Sequence, residues 1–382
     1  MTILNLVSIY SLLVNSFHPY YLFCSIQFQN LSIKKDCSNF GGFLNNQCID
    51  YFNENNIVQN LSDCNQYINI RDDINLINDK WSLFINYIIN YDKYYSTFSS
   101  INERFIIFHE NFDYINKHNQ NNNSSYSLGV TNFADMKYNE YSDYINKITN
   151  IKNNICINGK EESGNILEYI DWRKNNAVTD VKDQGQCGSC WAFSTTGSLE
   201  GVYAIKNGII KSFSEQQLVD CSLTYGNLGC NVGIMQNAFT YIHDKGITTE
   251  EAYPYTGVKT SCKKYIPITY ISSCINVIPN ELQLTYAVMK NPVSVSIEAD
   301  SRSFQFYKSG VYDNVDCGTN LDHGVLVVGY GSENGKDFWL VKNSWGVNWG
   351  ESGYIKILRD SVKESTKGMC GIAMDTSYPE IF

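Results

Sequence analysis

Cys190 lies in the segment Gln184-Gly-Gln-Cys187-Gly-Ser189-Cys190-Trp191. Ser189 is a residue type that caps helices and Gly208 one that ends them, so the spacing predicts a helix over 190–207. Cys190 would then sit at a helix N-terminus, where unpaired amides and the helix dipole favour the thiolate over the thiol. A thiolate attacks carbonyl carbon. It works near neutral pH when an imidazolium beside it holds the charge and later protonates the leaving amine. Beyond residue 166 the histidines are His243 and His323. His243 falls at a polar position near a predicted helix end, whereas His323, in Leu321-Asp322-His323-Gly324, opens a glycine-flanked strand. His323 is therefore the candidate base. Asn343, in Lys342-Asn-Ser-Trp345-Gly346, can fix the imidazole tautomer by accepting a ring N–H with its amide oxygen. Trp345 can shield that bond from water.

Singly, these residues are weak signals. A lone histidine is more often structural and a lone asparagine more often a turn residue. Their joint register with Cys190 is what points to nucleophilic catalysis. Cys187 and Cys190 also form a CxxC, which elsewhere is a redox pair or half a zinc site. The short α/β pattern of a redox domain and a second close ligand pair are both missing from the sequence, so neither reading fits.

The elements that must hold these residues can be read from the same stretch. Ser214 with Gln217 reads as a capping box for a second helix. After residue 290 the pattern turns β-rich, with runs over 293–297, 325–330, 338–341 and 354–358. Residues 166–382 thus read as a helical lobe carrying Cys190, followed by a sheet lobe carrying His323 and Asn343. Upstream, Trp81, Phe84 and Ile88, then Phe105, Phe108, Phe112 and Ile115, recur at three and four and predict two amphipathic helices.

Through Asp171-Trp172-Arg173, Gln184 to Phe193, Gly229-Cys230-Asn231, Leu321 to Gly331 and Asn343-Ser-Trp-Gly346, residues 166–382 resemble the papain and cathepsin L family in register. The resemblance implies an α+β, papain-like two-lobe fold, with a helical left lobe and a β-barrel-like right lobe, preceded by a mainly helical propeptide. It implies a cysteine endopeptidase acting through Cys190, His323, Asn343 and a thioester, thiol chemistry that needs no metal or organic cofactor. A catalytically silent peptide-binding relative is the alternative, disfavoured because Gln184, Cys190, His323 and Asn343 are all retained. By the same resemblance, the Gln184 side chain and the Cys190 backbone N–H form an oxyanion hole.

Substrate would be bordered by Gly233, Ile234, Met235, Ser296, Leu321, Asp322, Gly324 and Trp345. Asp375 would floor the main specificity pocket, which admits a bulky apolar residue and, through this carboxylate, could also admit Arg or Lys; a solvated surface carboxylate is the competing reading. Val232 replaces a glycine common in the family's Gly-Cys-Asn-Gly-Gly turn. The implied disulfides are Cys187–Cys230, Cys221–Cys262 and Cys317–Cys370. Cys274 has no partner in that scheme: a buried thiol is the favoured reading, ahead of a bridge to a leader cysteine or a liability.

Arg104, Phe108, Asn111, Ile115 and Asn119, with Gly129-Val-Thr-Asn-Phe133-Ala-Asp135, resemble the inhibitor segment of cathepsin L-like proenzymes. Ser100 and Thr131 depart from the usual Glu and Asn. The resemblance implies a propeptide over 78–165 that crosses the cleft backwards as an intramolecular inhibitor. Acid would release it as carboxylates protonate, Asp135 or Glu110 among them. Residues 1–29, with an apolar run from Ile3 to Phe17, read as a signal peptide. Residues 30–77, with Cys37, Cys48 and Cys64, resemble nothing recognisable.

A net charge of −10 without a basic stripe disfavours nucleic acid as a partner. No run of eighteen clean apolar residues argues for a stable membrane span. Thirteen cysteines in 382 residues point to an oxidising compartment. The sequons at Asn30, Asn60, Asn122 and Asn123 are those of a glycoprotein. A monomer acting on protein or peptide substrates, open to cystatin-like inhibitors, and delivered to a lysosome or vacuole through the secretory pathway is expected, with secretion as the alternative.

Overall fold

A computed structural model describes residues 71–96, 98–145, 148, 154–360 and 367–382. The expected signal peptide, most of the 30–77 insert with its cysteines, and the sequons Asn30 and Asn60 lie outside them. The chain divides at Glu110 into two units. In the first, α1 (Arg71–Asn90) and the opening turns of α2 (Phe98–Asn119) follow the predicted apolar spacing. Trp81 stacks on Phe105 with ring centroids 3.9 Å apart, and Phe84 meets the same ring edge-on at 5.6 Å. Helix α1 begins at Arg71, inside the stretch the sequence left unassigned.

The second unit holds strands β1 (Tyr126–Leu128), β2 (Cys156–Asn158), β3 (Ile170–Asp171), β4 (Ile271–Asn276) and β5 (Val293–Ile297). These are followed by β6 (Tyr307–Tyr312), β7 (His323–Glu333), β8 (Lys336–Lys342), β9 (Tyr354–Leu358) and β10 (Thr376–Ile381). Among the described residues they form a ten-stranded sheet ordered β1-β6-β9-β8-β7-β5-β10-β4-β2, with β3 beside β7. Its helices include α3 (Tyr138–Ile145), α4 (Cys190–Asn207), α5 (Glu215–Cys221), α6 (Met235–Lys245) and α7 (Glu281–Lys290).

Strand β5 shows why the lobes stay together. Val293, Val295 and Ile297 enter an apolar core with Val325, Val327, Trp339 and Ile355. Its alternate residue Ser294 points the other way, because strand side chains alternate, and donates to Ser194 O of α4 at 2.8 Å. Helix α4 is buried on almost every side, and it answers with Ser194 Oγ to Val325 O at 2.7 Å and Ser198 Oγ to Pro292 O at 2.9 Å. A second core gathers Trp191 and Leu199 of α4 with Phe239 and Ile242 of α6.

Helix ends differ from expectation in two details. Gly208 closes α4 in the left-handed region, φ 70°, as its lack of a Cβ allows, but the Ser189 hydroxyl caps nothing and lies 2.7 Å from Tyr255 Oη. Ser214 Oγ accepts from Gln217 N at 2.9 Å, whereas the Gln217 side chain is drawn to Gly246 O and Thr248 N, each at 2.9 Å. Only half of the capping box forms, because the other half holds the loop after α6.

Candidate active site

Cys190 is the first residue of α4 and His323 the first of β7. The strand start abuts the helix start so closely that a Cβ on Gly324 would lie 3.3 Å from the backbone N and Cα of Trp191. Pairing of Lys342 with Leu326 then carries the end of β8, and Asn343 after it, to the same place.

His323 Nε2 is 2.8 Å from Asn343 Oδ1. The Ser344 backbone N–H, which can only donate, reaches that same atom at 2.8 Å. Asn343 therefore presents its oxygen, and the ring nitrogen facing it must carry the proton. The neutral imidazole is the Nε2–H tautomer with its lone pair on Nδ1, the atom a general base needs. Nδ1 is buried and makes no hydrogen bond. Trp345 lies over the ring, centroids 4.6 Å apart at 29°. Burial lowers the imidazole to about 4, against a smaller raising effect of the Asn343 bond, so the ring is neutral in this closed form.

Gln184 is held on three sides. Its backbone N–H donates to Ser344 O at 2.9 Å, its Oε1 accepts from Ser344 Oγ at 2.6 Å, and its Nε2 donates to Cys187 O at 3.0 Å. That leaves one amide hydrogen beside the N-terminus of α4, the positive end of the helix dipole. Behind the site, Lys182 bridges Glu200 of α4 at 2.9 Å and Glu215 of α5 at 2.6 Å.

The candidate substrate residues fall around this centre. A Cβ on Gly233 would overlap the Trp191 indole, so the backbone there lies bare against the ring. Ile234 and Met235 follow, both buried, and Met235 Sδ is 3.3 Å from the Cβ position of Gly324. Leu321 and Asp322 lead into β7. Burial raises the Asp322 carboxyl to about 8, eased by the bond from Ala299 N at 2.8 Å and reinforced by Asp300 and Glu298. Asp375 precedes β10 and accepts from Ser296 Oγ at 2.5 Å and Gln236 Nε2 at 2.6 Å; burial raises its pKa against both bonds. Val232 stays out of the left-handed region, so its side chain costs the turn no backbone strain. His243 sits in the last turn of α6 with Nδ1 2.7 Å from Asp244, away from this cluster.

Part of the leader covers the site. Phe133 meets Trp345 edge-on at 4.9 Å, with Tyr141 and Tyr144 at 6.0 and 6.5 Å. Tyr144 Oη donates to Gly185 O at 2.6 Å, and Ile148 pairs in parallel with Gly233. Cys190 and His323 are 0% and 1% exposed beneath this cover. Thr131, the departure from the usual asparagine, is buried and donates to Gln305 O at 3.0 Å.

Residues 166–380 match the papain family cysteine protease pattern, and residues 84–141 match the cathepsin propeptide inhibitor domain. The chain belongs to the papain family of cysteine proteases. Cathepsin L of Sarcophaga peregrina is 44% identical over 81% of this chain and 94% of its own length. “Probable cysteine protease RD21B” of Arabidopsis thaliana is 48% identical over 72% of this chain, which spans 60% of that relative's length. Digestive procathepsin L 3 of the Tenebrio molitor larval midgut superposes with a TM-score of 0.74 at 40% identity, over 79% of this chain and 99% of that one. The papain-like α+β fold with a propeptide follows from these matches, and so does the propeptide's place as an intramolecular inhibitor.

The structure contains disulfides Cys187–Cys230, Cys221–Cys262 and Cys317–Cys370, and Cys190 stands outside them. For Cys274 the favoured buried thiol gives way to the second reading, a bridge to a leader cysteine: Cys274 is bonded to Cys156. Strand β2 of the leader pairs in parallel with β4, in register Cys156↔Cys274, which brings the two Cα atoms to 4.3 Å. Sequence reasoning also missed Ser344, Tyr144 and Ile148. Ser344 adjoins Asn343 and was within reach; Tyr144 and Ile148 matter only through where the leader passes.

Proposed function

We propose that this chain is a cysteine-type endopeptidase, made as an inactive proenzyme and matured in acid. The observation that carries the reading is the fixed tautomer of His323, whose Nδ1 is left as a base where the Cys190 helix begins. With the leader gone, the thiolate of Cys190 attacks a peptide carbonyl carbon and the carbonyl electron pair moves onto oxygen. The remaining Gln184 amide hydrogen and the Cys190 N–H meet that oxyanion, a contribution worth about a hundredfold or more in rate per donor. Collapse expels the amine, which takes the proton from the His323 imidazolium. Water, losing a proton to Nδ1, then cleaves the thioester, freeing the carboxylic acid and restoring the site.

The mature enzyme in this reading is residues 166–382 and the propeptide 78–165. Substrates are proteins or peptides with a bulky apolar residue before the cut, entering along Gly233 and Met235, and Asp375 extends the range to basic side chains. The enzyme works as a monomer in a lysosome or vacuole, where acid matures it, or after secretion, and cystatin-like proteins would block the same cleft.

The test is acidification of the purified chain under mild reduction, with Cys190→Ser alongside. Shortening to about residue 166 onward and cleavage of a Phe-Arg peptide by the wild type alone is the expected result. A folded mature domain inactive in both would point instead to a peptide-binding role.

A further inference from the structure

In the second unit one leader segment does two things. At Ile148 it pairs with Gly233, the bare backbone against Trp191, the residue that follows the buried Cys190. Further along, at Cys156, it is bonded to Cys274, which is fully buried in the helical lobe's core. Strand β2 is seated by more than the sulfur bridge. Ile155 N donates to Thr240 Oγ1 at 3.3 Å, and Gly159 N to Asn276 O at 2.8 Å. The chain then changes character: from Lys160 to Tyr169 almost every residue is exposed, whereas Ile170 enters the sheet against β7. Glu162, Gly164 and Leu167 touch the domain through backbone hydrogen bonds, but the exposed residues between and before them, Lys160 among them, are of the kind that proteases reach.

We propose that the Cys156–Cys274 disulfide is a redox latch: cleavage within the exposed 160–169 segment leaves the inhibitory leader covalently attached, and release requires a thiol reductant. A leader held by non-covalent contacts alone is lost to dilution once it is cut. A tethered one faces its own cleft at an effective concentration in about the millimolar range, far above that of any enzyme in solution. Acid alone then loosens the leader without discharging it.

Opening the latch is a thiol exchange. A reductant thiolate attacks Cys156 Sγ, the sulfur of the half-buried partner, and Cys274 leaves as thiolate; a second reductant thiol then attacks the mixed disulfide and frees Cys156. Two protein thiols and one reductant disulfide result. The latch rests on the inhibitory reading of the leader, and its test is arranged to fail separately from the protease reading.

Cys190→Ser proenzyme is nicked with a lysine-specific serine protease, which needs no thiol and meets the exposed Lys160. Its products are weighed by mass spectrometry before and after reduction. The fragment ending at Lys160 is expected to stay with the catalytic domain until reduced, and to separate without reduction in Cys156→Ser and in Cys156→Ser/Cys274→Ala, which avoids a stranded buried thiol. In the active chain, first activation in acid should need about tenfold more reductant than reactivation of matured enzyme, a gap that closes in both variants. Separation of the wild-type fragment without reductant, recovery of Cys156 and Cys274 as thiols, or equal thiol dependence in all three proteins would overturn the latch. Peptidase failure would leave the mass result standing.

Discussion

His323 and Asn343 share a hydrogen bond whose proton has one position, because the Ser344 N–H already points at the same amide oxygen. Asn343 is thus a positioning residue: it selects the tautomer and holds the ring under Trp345. Asn343→Ala should lower kcat about ten- to a hundredfold with little change in KM, since the interaction serves proton transfer rather than substrate binding. An equal rise in KM instead would mean that Asn343 mainly shapes the cleft.

Gly233 has no room for a Cβ against Trp191. Gly233→Ala should cost about 1–3 kcal/mol through overpacking and weaken inhibition by the separate leader peptide as well as substrate binding. Thermal unfolding and inhibition constants check both parts; an unchanged inhibition constant would show that Ile148 does not need this approach.

The meeting of Cys190, His323 and Asn343, and both lobes, were legible because they rest on local signals: Cys190 before a helix, His323 before a strand, and β-rich runs that became β5 and β7 to β9. What was not legible depends on distant pairing. Ser189 looks like a cap until Tyr255 takes its hydroxyl, and Gln217 completes a capping box only if the loop after α6 does not claim it. Cys274 lacks a partner until β2 lies beside β4, and an odd cysteine does not name its mate.

Acid should act directly on His323. Held near 4 in the closed form, against about 6.5 when exposed, it binds a proton in the open form that the closed form refuses. Its contribution to closure is full above about 6.5 and falls by about 1.4 kcal/mol per pH unit on the way down to 4. Asp322 opposes this: raised to about 8, it keeps its proton in the closed form and favours closure as pH falls from there toward the usual carboxylate range. In Cys190→Ala proenzyme the His323 ring should titrate near 4 by NMR and move up by about one unit or more after the leader is removed. Asp322→Asn, which holds the neutral form the closed state prefers at every pH, should keep the leader in place to lower pH. A His323 titration unaffected by leader removal would contradict this paragraph.

Both oxygens of Asp375 are occupied by Ser296 and Gln236, so a basic substrate side chain would meet a carboxylate already oriented and raised in pKa. Asp375→Ala should reduce kcat/KM for Arg relative to Phe by about tenfold, a single charge-assisted contact. Equal selectivity in both proteins would remove Asp375 from specificity.

The most direct test of the whole account is to treat the acid-matured enzyme with a peptide carrying an alkylating group at its carbonyl end and to locate the label by mass spectrometry. One label per molecule on Cys190, with activity falling in step and none taken up by the uncut proenzyme, is the predicted result. Full activity with Cys190 labelled, or equal labelling of the covered proenzyme, would contradict it.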